Sequence, residues 1–212
     1  GLGDVYKRQL MMYQEIIENE PENFETVKEF SLKIGTALKR MEQLIQSMLK
    51  ITRIDAGSIS FEKSNYSIPN IINHAISELT TRADNEKKEI VIDGDLEQML
   101  YCDIEWTGEA IGNIIKNALD HTDTGGKISI SWEQTPAMIR IFITDNGHGI
   151  SQEDIHHIFK RFYRSKNTSE SQGIGLGLPL AKAIVEGQGG ILSVQSERLQ
   201  GTTFTLSFLT ES

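Results

Sequence analysis

Val27, Ile34, Met41 and Met48 recur at seven-residue intervals, and Phe30, Ala37, Leu44 and Ile51 recur in the same rhythm three residues later. A stripe of that period is buried by a helix and by little else. Leu38 and Ile45 widen it. Asn23 supplies an N-cap, and Gly57 follows the last turn as a stop. At ~1.5 Å per residue the helix is roughly 50 Å long, which suits a bundle shared between two chains. Leu10, Met11, Tyr13, Ile16 and Ile17 predict a shorter helix before it, broken at Glu20-Pro21-Glu22. Two helices so joined make an antiparallel hairpin spanning 10–57, and two hairpins make a four-helix homodimer. Residues 1–9, with Gly1 and Gly3, do not extend the apolar seam. They are set aside as a non-native or scar segment.

Beyond Gly57 the rhythm changes. Residues 58–67 are polar and read as a linker, and 68–212 as a second domain. Ile71, Ile72, Ala75, Ile76 and Leu79 share one face of a helix running from Ile68 to about Arg82. Short strands are predicted over 89–93 and 98–102, then a helix over 104–121. Segments 127–134 and 137–144 alternate apolar and polar residues, as half-buried strands do. Helices over 152–160 and 177–187 and a hairpin of strands over 190–196 and 202–209 complete the chain. The fold class is α+β, with helices packed on one face of a mixed sheet.

The net charge of -9 over 212 residues argues against a nucleic-acid partner, which needs a basic face. The single cysteine, Cys102, leaves no internal disulfide and no multi-cysteine metal site. No apolar run approaches the ~20 residues of a membrane span, so no membrane segment is expected in this chain.

Three clusters carry chemistry. Asn113 and Asn117 lie four apart, so their amides leave one face of the predicted helix. Amide oxygens are hard ligands of the kind Mg²⁺ takes alongside water and phosphate. Asp120 and His121 follow on the same helix. Asp145 ends an apolar strand, where a carboxylate can accept a hydrogen bond from an exocyclic amine. Gly147 and Gly149 after it allow close backbone approach to a flat ring. Gly173, Gly175 and Gly177 precede a helix whose first amides can bind phosphate. The alternating glycines, without a strand before them, do not fit a dinucleotide fingerprint, and no P-loop lysine follows. Between the glycine clusters, Arg164 to Gln172 reads as a polar lid anchored by Phe159, Phe162 and Tyr163. Arg161, Arg164 and Lys166 are cations for phosphate.

Taken in order, these motifs resemble sensor histidine kinases. Asn113–Thr122 resembles the N box and Asp145–Ile150 the first glycine box. Ile158–Tyr163 resembles the aromatic box and Gly173–Leu178 the second glycine box. Gly201-Thr202-Thr203-Phe204 is similar to the closing strand signature. The resemblance implies an α/β sandwich of the histidine-kinase, gyrase and heat-shock-chaperone ATPase type. It implies ATP and Mg²⁺ as cofactors, with Asn117 on the metal, Asn113 beside the phosphates and Asp145 on adenine. Asp120, His121, Ile150, Phe159, Tyr163, Arg164, Leu176, Leu178 and Thr203 join the glycines around the nucleotide. Asn113 stands where ATP hydrolases of this fold place a glutamate base, which favours transfer of the γ-phosphoryl group to a histidine over hydrolysis. A response regulator receiver domain is the implied partner. A cytoplasmic location is implied, within a parent anchored in the membrane. The chain departs from the pattern in three places: Pro179 replaces Ala, Asp120 replaces a basic residue, and the helical hairpin holds no histidine. A nucleotide-responsive module without kinase activity is the alternative.

Overall fold

The computed structural model describes residues 2–165 and 173–210. It divides into two compact units, Gly1–Leu49 and Lys50–Ser212. In the first, helix α1 (Leu2–Asn19) precedes helix α2 (Phe24–Asp55), which continues into the second unit. Asn23 caps α2, its Oδ1 accepting from the Thr26 N–H at 3.3 Å. Tyr13 meets Phe30 with ring centroids 5.4 Å apart. Every α2 seam position from Val27 to Met48 is at least half-buried, whereas Leu38 (52% exposed) and Ile45 (53%) stand in solvent. Residues 2–9, expected to lie outside the hairpin, are helical. Gly3 falls in the first turn, where amides have no intrahelical partner anyway, and Asp4 there favours the helix dipole. Half-buried Tyr6 sits one heptad before Tyr13 and extends the seam.

α2 stops at Gly57, whose φ of 63° suits a left-handed C-cap, with the Ser58 N–H bonded to the Arg53 carbonyl at 2.9 Å. The second unit then holds strand β1 (Ser64–Ser67), helices α3 (Ile68–Ile76) and α4 (Leu79–Asn85), and strands β2 (Glu89–Asp93) and β3 (Met99–Cys102). Helix α5 (Ile104–His121), strands β4 (Lys127–Gln134) and β5 (Met138–Asp145), and the short helix α6 (Gln152–Ile155) follow. Helix α7 (Gly177–Gly187) and strands β6 (Ile191–Glu197) and β7 (Gly201–Leu209) end it. The main sheet runs β2-β4-β5-β7-β6, parallel between β2 and β4 and antiparallel elsewhere. β1 and β3 form a separate antiparallel pair. On the inner face of the sheet, Ile128, Ile130, Ile141, Ile143, Phe204 and Leu206 are buried. Ile111, Ile114, Ile115 and Leu119 of α5 and Leu180, Ile184 and Val185 of α7 are buried likewise. The mixed α+β architecture expected from periodicity is the one observed.

Three expectations about elements are corrected. The helix expected over 68–82 breaks at Ser77-Glu78, where the Ser77 hydroxyl bonds back to the His74 carbonyl at 3.1 Å. The expected linker ends in strand β1, and the residues before it are fastened down. Asp103 Oδ2 accepts the Glu62 N–H at 2.9 Å, Lys63 Nζ donates to the Gln188 carbonyl at 2.5 Å, and Phe61 lies edge-on to Trp106. The helix expected over 152–160 survives only as α6. Past Ile155 the Asp154 carbonyl accepts from both His157 and Ile158, and the next bond, from Lys160 to His157, spans three residues rather than four. The Asp154 carboxylate is meanwhile held by Tyr163 and Ser165 from beyond the turn.

Candidate functional site

α5 starts at Asp103, whose Oδ1 accepts the Trp106 N–H at 3.2 Å. Burial of its isoleucine face turns the opposite residues, Asn113, Asn117 and Asp120, outward as a half-buried row. Asn113 Nδ2 donates to the Glu109 carbonyl at 3.0 Å. Its Oδ1 would stand 3.2 Å from a Cβ built on Gly177, the first residue of α7. The asparagine row therefore adjoins a helix N-terminus whose leading amides have no intrahelical acceptor. Leu176 at that N-terminus is buried, while Leu178, Gly173 and Gly175 are half-buried. The Asn117 side chain has no hydrogen-bond partner among the described residues. Asp120 is engaged: Arg82 Nη2 bonds its Oδ1 at 2.6 Å.

Asp145 closes β5 with 5% of its surface exposed, and its Oδ1 accepts the Gly147 N–H at 2.9 Å. Burial pushes its carboxyl above the ordinary carboxylate range. Backbone bonds from Gly147 and Thr202 and the charge of His148 oppose that shift. His121 is also shifted by burial, which lowers its imidazole below the ordinary value. The His121 carbonyl accepts the His148 N–H at 3.1 Å. The first glycine box is thus strapped to the end of α5, and this packing explains the glycines. A Cβ on Gly147 would lie 2.1 Å from the His121 oxygen, and one on Gly149, at φ 66°, 2.0 Å from the Glu197 oxygen. At both glycines the protein's own backbone makes a close approach that a side chain would block.

Strand register separates the two threonines of the β7 signature. Asp145 faces Thr202 in register and Thr144 faces Thr203. Side chains alternate along a strand, so Thr203 shares the outer sheet face with Thr144, their hydroxyls 3.0 Å apart. Thr202, 6% exposed, is the residue on the Asp145 side. Its hydroxyl lies 2.9 Å from that of Ser196, which accepts the Ile150 N–H at 2.8 Å. Sequence reading missed Thr202 and Ser196. Counting by twos from Asp145 through the strand register would have found the first. An open depression of about 340 Å³ at this sheet end is lined by Thr144, Asp145, Ser196, Gln200, Thr202 and Thr203 among others. It touches neither asparagine nor any glycine of the second box.

The aromatic segment is mostly architecture. Phe159 lies edge-on to Phe204 at 6.4 Å, with Lys182 Nζ 5.1 Å above its ring. Tyr163 donates to Asp154 and stacks obliquely on His157. The Phe162 N–H bonds the Gly175 carbonyl at 2.9 Å, joining the segment to the second glycine box. Arg161 is paired with Asp55, so its charge is already matched. Arg164 is exposed. Lys166 and most of the expected lid lie outside the described residues. No group of three His, Cys, Asp or Glu side chains able to hold a metal occurs among the described residues. The Asn117 amide oxygen is of the kind that could hold a hard cation.

A family model described as histidine kinase-, DNA gyrase B-, and HSP90-like ATPase matches residues 102–212. The heme sensor protein HssS of Staphylococcus saprophyticus is 35% identical over 174 residues, 80% of this chain and 36% of that protein. Full-length ShkA, solved in complex with AMPPNP, superposes with a TM-score of 0.76 at 17% identity. That match covers 100% of this chain and 46% of ShkA. Histidine kinase ThkA, solved with the response regulator protein TrrA, gives 0.78 at 19% identity over 99% of this chain and 60% of its own. The chain spans 32% to 45% of the length of the first curated relatives it matches.

Proposed function

The chain belongs to the histidine kinase-, DNA gyrase B-, and HSP90-like ATPase family, as the catalytic region of a sensor histidine kinase, and from that premise we propose that it transfers the γ-phosphoryl group of ATP to a histidine in phosphorelay signalling. One juxtaposition carries the reading: Asn113 adjoins the α7 N-terminus, while a buried carboxylate, Asp145, waits across the first glycine box. Phosphates suit the free amides at Gly177, and the adenine amine suits Asp145. Thr202 and His121 close the base side of the site. Asn117, with its amide unpartnered, would hold Mg²⁺, which supplies charge neutralisation on the phosphates. The site offers no general base toward water at Asn113, because an amide takes no proton. Its residues position the nucleotide rather than hydrolyse it.

The helical residues 10–57 form the dimerising part in this reading, and 68–212 the ATP-binding domain. The open Leu38 and Ile45 are the surface a second copy would cover. The helices hold no histidine; all five of the chain's histidines lie from His74 onward. The receiving histidine is therefore supplied from outside residues 1–57. A response regulator receiver domain, as ThkA binds TrrA, is the downstream partner. In this reading the work is done in the cytoplasm, where ATP is supplied. No helix among the described residues is long and apolar enough to cross a membrane.

The test supplies the chain with Mg-ATP and a separate helical-hairpin polypeptide bearing a histidine. Acid-labile, alkali-stable phosphate on that polypeptide, lost with Asn117→Ala, is the expected result. Failure of the chain to bind ATP at all would overturn the assignment.

A further inference from the structure

A polyphosphate beside the asparagine row would meet Asp120. At about 100° per residue, Asp120 lies seven residues and roughly two full turns beyond Asn113, and one turn beyond Asn117. All three share a face. A bare carboxylate there repels an anion. It is not bare, because Arg82 of α4 reaches across to it, Nη2 to Oδ1 at 2.6 Å. Glu86 takes the Nε of the same guanidinium at 2.6 Å. Glu86 is itself tied by Lys88, which also donates to the Leu119 carbonyl at 2.6 Å. Two cations thus offset two carboxylates. A guanidinium carries five N–H donors in a rigid fork, and two of them are used among the described residues. Its side chain is 32% exposed and that of Asp120 21%, so a ligand on this face can reach the remaining edge.

We propose that Arg82 is a phosphate-contacting residue of the nucleotide site, carried to the asparagine face from α4, and that Asp120 acts as its positioning residue. The proposal rests on the ATP-site reading above and adds to it a cation from α4, where α5 itself brings only the exposed Lys116 beside Asn117. Asp120 then works through its partner: it aims the fork at the polyphosphate and gives up its own charge to it.

The experiment measures the affinities of ATP, ADP and adenosine by calorimetry. It uses the whole chain, Arg82→Gln, Arg82→Lys, and the double variant Arg82→Gln with Asp120→Lys, with thermal melts alongside. Loss of one charge-assisted hydrogen bond weakens ATP binding about tenfold, and adenosine binding stays within about twofold. Asp120→Lys in the Arg82→Gln background returns the cation directly to α5 and restores ATP affinity, which a merely structural role for Arg82 does not allow. Equal losses for ATP and adenosine, or no loss, would overturn the proposal. If Arg82→Gln does not fold, Arg82→Lys decides: a point charge without the fork should bind ATP less tightly than the parent and adenosine equally. Absence of nucleotide binding by the unaltered chain would instead overturn the site reading itself, and the role of Arg82 with it.

Discussion

Asn117 and His121 lie four residues apart on one helix and have opposite fates. Asn117 keeps its amide free of partners among the described residues, whereas the His121 ring is shifted by burial. The first should serve the metal: Asn117→Ala is expected to remove the Mg²⁺-dependent part of ATP affinity, about tenfold or more, in titrations with and without Mg²⁺. The second leaves a mark on stability. Its folded imidazole titrates below the ordinary 6.5 because burial disfavours the charged ring, so at intermediate pH the unfolded state binds the extra proton. Stability is then full above about 6.5 and falls as the pH drops toward and through the lowered value. Urea midpoints across that window should fall for the parent and stay flatter for His121→Gln. Equal slopes would refute the linkage. Both residues were legible in sequence as part of one motif. The engagement of Asp120 by Arg82, 38 positions away, was not, because an ion pair leaves no periodic trace in the chain.

At the scale of elements, the alternating strands and the long helices were readable because burial imposes a period, two for strands and 3.6 for helices. α5, β4 and α7 fall where the sequence placed them. The stretch after α6 was misread because its local pattern suits a helix, while Tyr163 and Ser165 fold back onto Asp154 and stop it. The glycines show the same division. Gly147→Ala would drive a methyl to 2.1 Å from the His121 oxygen, and should cost about 3 kcal/mol of stability and weaken ATP binding. Gly173 has nothing among the described residues within 4 Å of a built Cβ, so Gly173→Ala should leave the denaturation midpoint almost unchanged. Comparable losses at the two positions, in chemical denaturation, would refute the packing explanation. The sequence marks both as members of glycine boxes; only the neighbours separate the one that cannot change from the one that can.

For the molecule as a whole, Cys102 offers a probe. It is fully buried, and burial pushes its thiol up to about 11, so little thiolate forms at neutral pH. Labelling by a thiol reagent should be slow in the native state and should follow unfolding of the second unit, rising in step with loss of ellipticity. Rapid labelling under native conditions would show that the β3–α5 corner opens locally. That corner also joins distant parts of the chain. Asp103 caps α5, accepts from Glu62, and its N–H donates to Gln188 Oε1 at 2.8 Å. The sequence by itself determined most of the helices and strands, α5, β4 and α7 to the residue, and the order of motifs that resembles the family. Periodicity, capping and glycine requirements act between residues a few positions apart, so they are written locally. Only the tertiary structure decided that Thr202 and not Thr203 flanks Asp145. It also decided that the polar segment before β1 is pinned by Asp103, and that Arg161 is spent on Asp55, 106 positions away. Those outcomes depend on which groups meet across the fold, and electrostatic and hydrogen-bond partners are chosen by proximity in space, not by spacing along the chain.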